Sequence, residues 1–379
     1  MAIYIILIIH FRKICPVFVV KLLKIGGVMG ADSEYNKKLH LARLEKLHEL
    51  EGILPVYCMP FLDDKELTSQ INTVISYAYD LITFFQFLKE KNPLLKNISE
   101  IKEIELSFLD SLSFEDINEF QRFLSFNNGE NKHVNKEKGI ARRMSAVRGF
   151  YEFMCQHHYL KNNPTLGAAK RKKTPKKDII RMNSEEVNTL MDTVINTEIN
   201  VSGRQRALLE KTNLRDTAIF TLLLNTGIRV SECVGLDMDD LNFDENSFSV
   251  VRKGGNTHIL YFNRATAEAL KEYIEFERPS LCENDKEKAL FLSLRKSRIT
   301  VRSVQLLVKK FTQMAVPGKK LTPHKMRSTY GTALYRETGD IRLVADVLGH
   351  KDINTTAKHY AAIEDEHRRR AATIDPYAE

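Results

Sequence analysis

The sequence predicts a mainly α protein in two units: a helical bundle, then a mixed but mostly helical domain with a small β-sheet. Three observations carry that expectation. Apolar residues recur at helical spacing over most of the chain. Strand-like runs occur in one place only, 247–252 and 258–263. The 379 residues exceed what one hydrophobic core normally holds, about 250. With 43% hydrophobic and 28% charged residues the chain can bury real apolar surface, which excludes wholesale disorder.

At the start, apolar runs at 2–9 and 17–20 are broken by His10, Arg12, Lys13, Lys21 and Lys24, so none reaches the ~20 residues of a membrane helix. The charge order is also wrong for a secretion signal. Gly26-Gly27-Val28-Met29 can be encoded with a ribosome-binding sequence just ahead of an ATG, so translation is expected to begin at Met29. Intact-mass measurement of the native protein tests this. Leu41, Leu44, Leu47 and Leu50 mark a short accessory helix stopped by Gly52 and Pro55, and residues 1–55 read as an N-terminal extension.

The bundle is expected at 56–168. Ile71, Ile75, Tyr79 and Ile82 give a broad apolar face to a helix at 68–91, which Asn92-Pro93 ends. A second helix spans 114–126, capped by Ser113. A third, at 139–159, buries Ile140, Met144, Val147, Tyr151 and Met154 and carries Arg142, Arg143 and Arg148 off that stripe. Guanidinium forks fit phosphates and base edges in a DNA major groove; a solvated helix face is the plainer alternative.

A basic linker at 169–181 follows, with Lys170, Arg171, Lys172 and Lys173 ahead of Pro175 and two more lysines. Such a run can track a phosphate backbone, and a solvated hinge has the same composition. The net charge of +8, from 57 Lys and Arg against 49 Asp and Glu, favours a polyanionic partner without singling one out. The five cysteines form no Cys-x-x-Cys pair, so neither a disulfide framework nor a zinc site is indicated.

The second unit is expected at 182–379. Asn183 and Glu186 form a capping-box pattern ahead of Val187, Leu190 and Met191. A helix at 214–225 runs into Thr226-Gly227. The two strands enclose a glycine-containing turn, and helices follow at 265–276, 301–314, 324–338, 341–348 and 354–360.

Here the chemistry becomes legible. Arg229 follows the glycine turn where a helix begins, Lys253 sits at the hairpin tip, and His324 and Arg327 share a helix face three positions apart. Leu348-Gly349-His350 ends another helix, and Tyr360 comes ten residues later. Each has an ordinary alternative: Arg229 pairing with Glu232, Lys253 as a turn lysine, His350 at a helix C-terminus, Tyr360 as a core tyrosine. The ordered set is rarer than its parts. Phosphodiester cleavage needs an in-line nucleophile, compensation for charge on the nonbridging oxygens, and a proton for the leaving sugar oxygen. Arg229 and Arg327 suit the clamp, a lysine can deliver the proton, and cations around the phosphate favour the phenolate of Tyr360. The scheme calls for no metal and no cofactor.

These blocks resemble the tyrosine recombinase (phage integrase) family, Xer-like in size and layout. The resemblance rests on Arg229, Lys253, His324-x-x-Arg327, Leu348-Gly349-His350 and Tyr360, spans about 180–370, and extends less specifically to a core-binding bundle at about 60–165; residues 1–55 have no counterpart. It implies the tyrosine recombinase catalytic fold and a clamp on duplex DNA. It further implies a 3′-phosphotyrosyl bond at Tyr360, a Holliday junction, and a homo-tetramer in synapse, alone or with a related recombinase. Residues 363–372 would dock on a neighbouring protomer. No membrane, small-molecule substrate, ATP or metal enters, and a cytoplasmic location is expected. In many members the tyrosine lies nine residues after the histidine; here it lies ten, a shift of about 100° in helix phase that the intervening loop is expected to absorb. A type IB topoisomerase and a non-catalytic DNA-binding protein on the same scaffold are the alternatives.

Overall fold

The computed structural model describes residues 34–126, 137–169, 180–196, 203, 206, 209–252, 256–284, 286–350 and 353. The chain divides into two compact units, one of residues 33–177 and one that includes 178–379. Met29, Cys15, the linker cations, Lys253, the expected helix at 354–360 with Tyr360, and 363–372 lie outside the described residues.

The first unit contains α1 (Glu34–Glu51), α2 (Met59–Thr68), α3 (Ile71–Lys91), α4 (Leu106–Asp110), α5 (Phe114–Phe126) and α6 (Glu137–Gln156). Its core is aromatic. Phe84 of α3 meets Phe120 of α5 edge-on at 5.0 Å, and Phe61 of α2 meets Phe150 of α6 edge-on at 5.6 Å. Leu47, Leu50 and Leu54 are buried in this same core, so the segment read as an extension up to residue 55 supplies part of the bundle's interior. Helix α2 was not expected from the sequence. Pro60 stands in its opening turn, where a missing N–H costs nothing, and Phe61 and Leu62 are its fully buried residues. The start of α5 is held by Asp116, whose carboxylate accepts the N–H of Ser113 at 2.8 Å and its hydroxyl at 3.0 Å.

In the second unit α7 (Ser184–Ile195) opens with the expected capping box: Asn183 Oδ1 accepts the Glu186 N–H and Glu186 Oε2 accepts the Asn183 N–H, both at 2.8 Å. Helix α8 (Asn213–Thr226) is buried on nearly every side, the pattern of a central helix. It packs against α7, α10 (Arg264–Glu272) and α13 (Pro323–Thr338). Between α8 and α10 lie the short α9 (Val230–Gly235) and an antiparallel sheet, β1 (Leu241–Asn242), β2 (Ser247–Val251) and β3 (Thr257–Tyr261), in that order. The expected hairpin is β2 with β3, in register Phe248 to Leu260 and Val250 to His258. The helix expected at 265–276 widens after Glu272 into a π turn, Tyr273–Glu277, before α11 (Arg278–Leu281). That turn aims the Glu277 carboxylate at the N–H groups of Leu214 and Arg215, 2.9 and 3.1 Å away, at the start of α8. Helices α12 (Val301–Ala315), α13 and α14 (Ile341–Leu348) complete the unit, with Phe311 of α12 edge-on to Phe220 of α8 at 5.3 Å. Among the described residues no helix is long and apolar enough to cross a membrane.

Candidate active site

The site is built around the end of α14. Gly349 ends that helix in the left-handed conformation, φ +59°, where a side chain is strained. The Gly349 N–H donates to the Asp346 carbonyl at 2.8 Å and the His350 N–H to Ala345 at 2.9 Å, the paired bonds of a Schellman cap. A helix end leaves further carbonyls pointing outward, together carrying partial negative charge. Here arginines take them.

Arg327, on α13, is 4% exposed and donates to the carbonyls of Gly227 and Leu348. Arg229 donates from Nη2 to the carbonyl of Gly349 at 3.0 Å and reaches that of Leu348 at 3.5 Å. Its Nη1 lies 2.6 Å from Glu232 Oε1, while the other carboxylate oxygen accepts the Arg229 backbone N–H at 2.9 Å. The pairing with Glu232 expected as the ordinary alternative is present, and the same guanidinium also reaches the end of α14. A third arginine was not foreseen. Arg252, just past β2, donates from Nη1 to the Asp346 carbonyl at 3.0 Å and from Nη2 to that of Val347 at 2.5 Å. Burial pulls its pKa down from the ordinary arginine value, and a guanidinium keeps its charge nonetheless. One signal was available: Phe248, Val250 and Arg252 alternate along the strand and are all buried, which places a cation in an inward register.

Two glycines make this convergence possible. Gly227 ends α8 with φ +61°, and a methyl group there would fall 2.5 Å from Tyr330 Cδ1 and 2.9 Å from Leu348 Cδ2. At Gly349 a methyl group would fall 2.3 Å from Arg252 Nη1. His324 is exposed in the first turn of α13, one turn before Arg327, on a helix opened by Thr322 and Pro323. His350 is half-buried directly after the cap. The structure thus gathers Arg229, Arg327 and the backbone of His350 at one helix terminus and sets His324 on the helix that carries Arg327; Lys253 and Tyr360 are outside the described residues.

In the bundle, Arg142 grips the buried carboxylate of Asp80, with Nη2 to Oδ1 at 2.8 Å and Nη1 to Oδ2 at 2.7 Å. Arg143 Nε stands 3.8 Å from the same group. Burial raises the Asp80 pKa while the two arginines oppose the rise. Arg148 is half-buried on the same helix. Lys170, Arg171, Lys172 and Lys173 fall outside the described residues.

The profile of the Phage integrase family matches residues 180–367. Over 316 residues the chain is 34% identical to tyrosine recombinase XerC of Caldanaerobacter subterraneus subsp. tengcongensis, covering 81% of this chain and 82% of that one. It is 27% identical over 355 residues to tyrosine recombinase XerS of Streptococcus agalactiae, covering 86% and 97%. Among solved structures, the XerH site-specific recombinase bound to a palindromic difH substrate superposes with a TM-score of 0.59 at 18% identity, covering 93% of this chain and 92% of that one. A lambda integrase dimer bound to a COC′ core site gives 0.52 at 13% identity, covering 79% and 94%; both likenesses speak to the fold. The chain belongs to the phage integrase family, as a Xer-like tyrosine recombinase.

Proposed function

We propose that this chain carries out site-specific recombination of duplex DNA through a 3′-phosphotyrosyl bond to Tyr360. The observation that carries this reading is the convergence of Arg229 and Arg327 on the last carbonyls of α14, beside His350. Two fixed guanidinium groups suit the two nonbridging oxygens of one phosphate, which gain charge as the phenol oxygen attacks. His324 and His350 donate hydrogen bonds to the same oxygens, and Lys253 protonates the departing 5′ oxygen. The freed 5′-hydroxyl then attacks the phosphotyrosine of the partner strand, regenerating Tyr360 and giving a Holliday junction. Each step exchanges one phosphodiester for another, so bond energy is conserved without ATP. Four protomers hold two duplexes in the synapse, and Arg142, Arg143, Arg148 and the 170–173 cations grip the flanking DNA.

Nicked duplex tests the chemistry. When a nick lies just beyond the cleavage point, the short 5′-hydroxyl fragment diffuses away and the covalent adduct accumulates. Wild-type protein incubated with randomly nicked host DNA should yield adducts whose sequenced ends share one motif, and Tyr360→Phe should yield none. Relaxation of plasmid without exchange of partners would instead indicate a topoisomerase.

A further inference from the structure

We infer that Arg252 is a positioning residue of this reaction, fixing the end of α14 and with it His350 by holding the carbonyls of Asp346 and Val347. The inference rests on the recombinase reading above and adds a residue outside the motifs that define it.

Three observations carry it. First, Arg252 is 7% exposed, yet both of its hydrogen-bond acceptors are neutral carbonyls. Its Nε is buried with no hydrogen-bond partner among the described residues. A strand needing only an inward apolar residue at this register would be better served by valine, because a buried cation facing dipoles is costly. Second, the Asp346 carbonyl is itself an acceptor within the Schellman cap and that of Val347 is its neighbour, and Gly349 leaves no room for a side chain against the guanidinium. The turn that delivers His350 is therefore shaped around Arg252. Third, the bonds join the end of β2 to the end of α14 across 94 and 95 positions of sequence, and Lys253 follows Arg252 directly in the chain. One side chain ties the strand leading to the expected proton donor to the cap presenting a phosphate-binding histidine.

The test uses the full chain and a nicked duplex carrying the motif recovered from wild-type adducts. Arg252→Lys keeps the charge but loses the planar fork that spans two carbonyls. At saturating DNA it should form adduct about 10- to 100-fold more slowly, the usual consequence of a small misplacement at a reacting centre, with DNA affinity changed less than about threefold. In a His350→Gln background the same substitution should cost less than about threefold more, because both changes remove one function. Arg252→Gln gives the same comparison should the lysine variant fail to melt cooperatively. Losses that multiply in the double variant, or an unchanged rate in both single variants, overturn the inference alone. Absence of adduct with wild-type protein overturns the recombinase reading and this inference together.

Discussion

Arg229 and Arg327 reach the same atom, the carbonyl oxygen of Leu348, one from the start of α9 and the other from the second turn of α13. Like charges meet there because the negative end of α14 attracts both; Arg229 is also held by Gly349 and the Glu232 carboxylate, and Arg327 by Gly227. The pair is thus arranged by the fold itself.

Replacing Arg327 by lysine removes the fork from a buried position. Covalent adduct formation should fall about 10²- to 10³-fold, the usual cost of losing one donor to a developing oxyanion. Single-turnover kinetics on the trapped motif checks this, and a loss below tenfold would deny Arg327 its place in the clamp.

Gly227→Ala and Gly339→Ala should differ. Both glycines have left-handed backbones, φ +61° and +65°, but a methyl group at 339 meets open space whereas one at 227 collides with Tyr330 and Leu348. Urea denaturation should show about 1 kcal/mol lost at 339 and about 1–3 kcal/mol more at 227 from overpacking.

The Asp80 pair should break asymmetrically. Arg142 has a half-exposed side chain and can return to water when Asp80→Asn removes its partner, whereas Arg142→Ala leaves a buried carboxylate with Arg143 alone. Denaturation at neutral pH should find Arg142→Ala the less stable variant, by about 1–3 kcal/mol, and the gap should narrow in acid as the carboxylate protonates.

Glu277 should impose a pH slope on stability. Burial pushes its pKa from 4.5 up to about 7, so the unfolded chain gives up this proton first. Its contribution therefore favours folding below pH 4.5 and is progressively lost as pH rises to about 7. Thermal melts across that window should show a decline that Glu277→Gln flattens; an unchanged slope in the variant would assign it to other groups.

Much of this was legible in the sequence, for local reasons. The capping box at Asn183, the glycine ends of α8 and α14, and the three-residue spacing of His324 and Arg327 each follow from chemistry within one helical turn. What escaped depends on partners distant in the chain. Asp80 matters because residues 62 positions later fold over it, and Arg252 because a helix end 94 positions later does. A short helix such as α2, with two inward residues and a proline at its start, has too little periodicity to announce itself.

The arginine-lined end of α14 also separates two responses to salt. Added ions screen the attraction between solvent-facing cations and DNA, and so weaken encounter. Guanidinium groups moored on the peptide carbonyls of a helix end owe their grouping to short, fixed bonds, which mobile ions weaken far less than they weaken longer-range attraction. Raising ionic strength should accordingly slow capture of DNA while leaving the rate of strand cleavage within an assembled complex nearly constant.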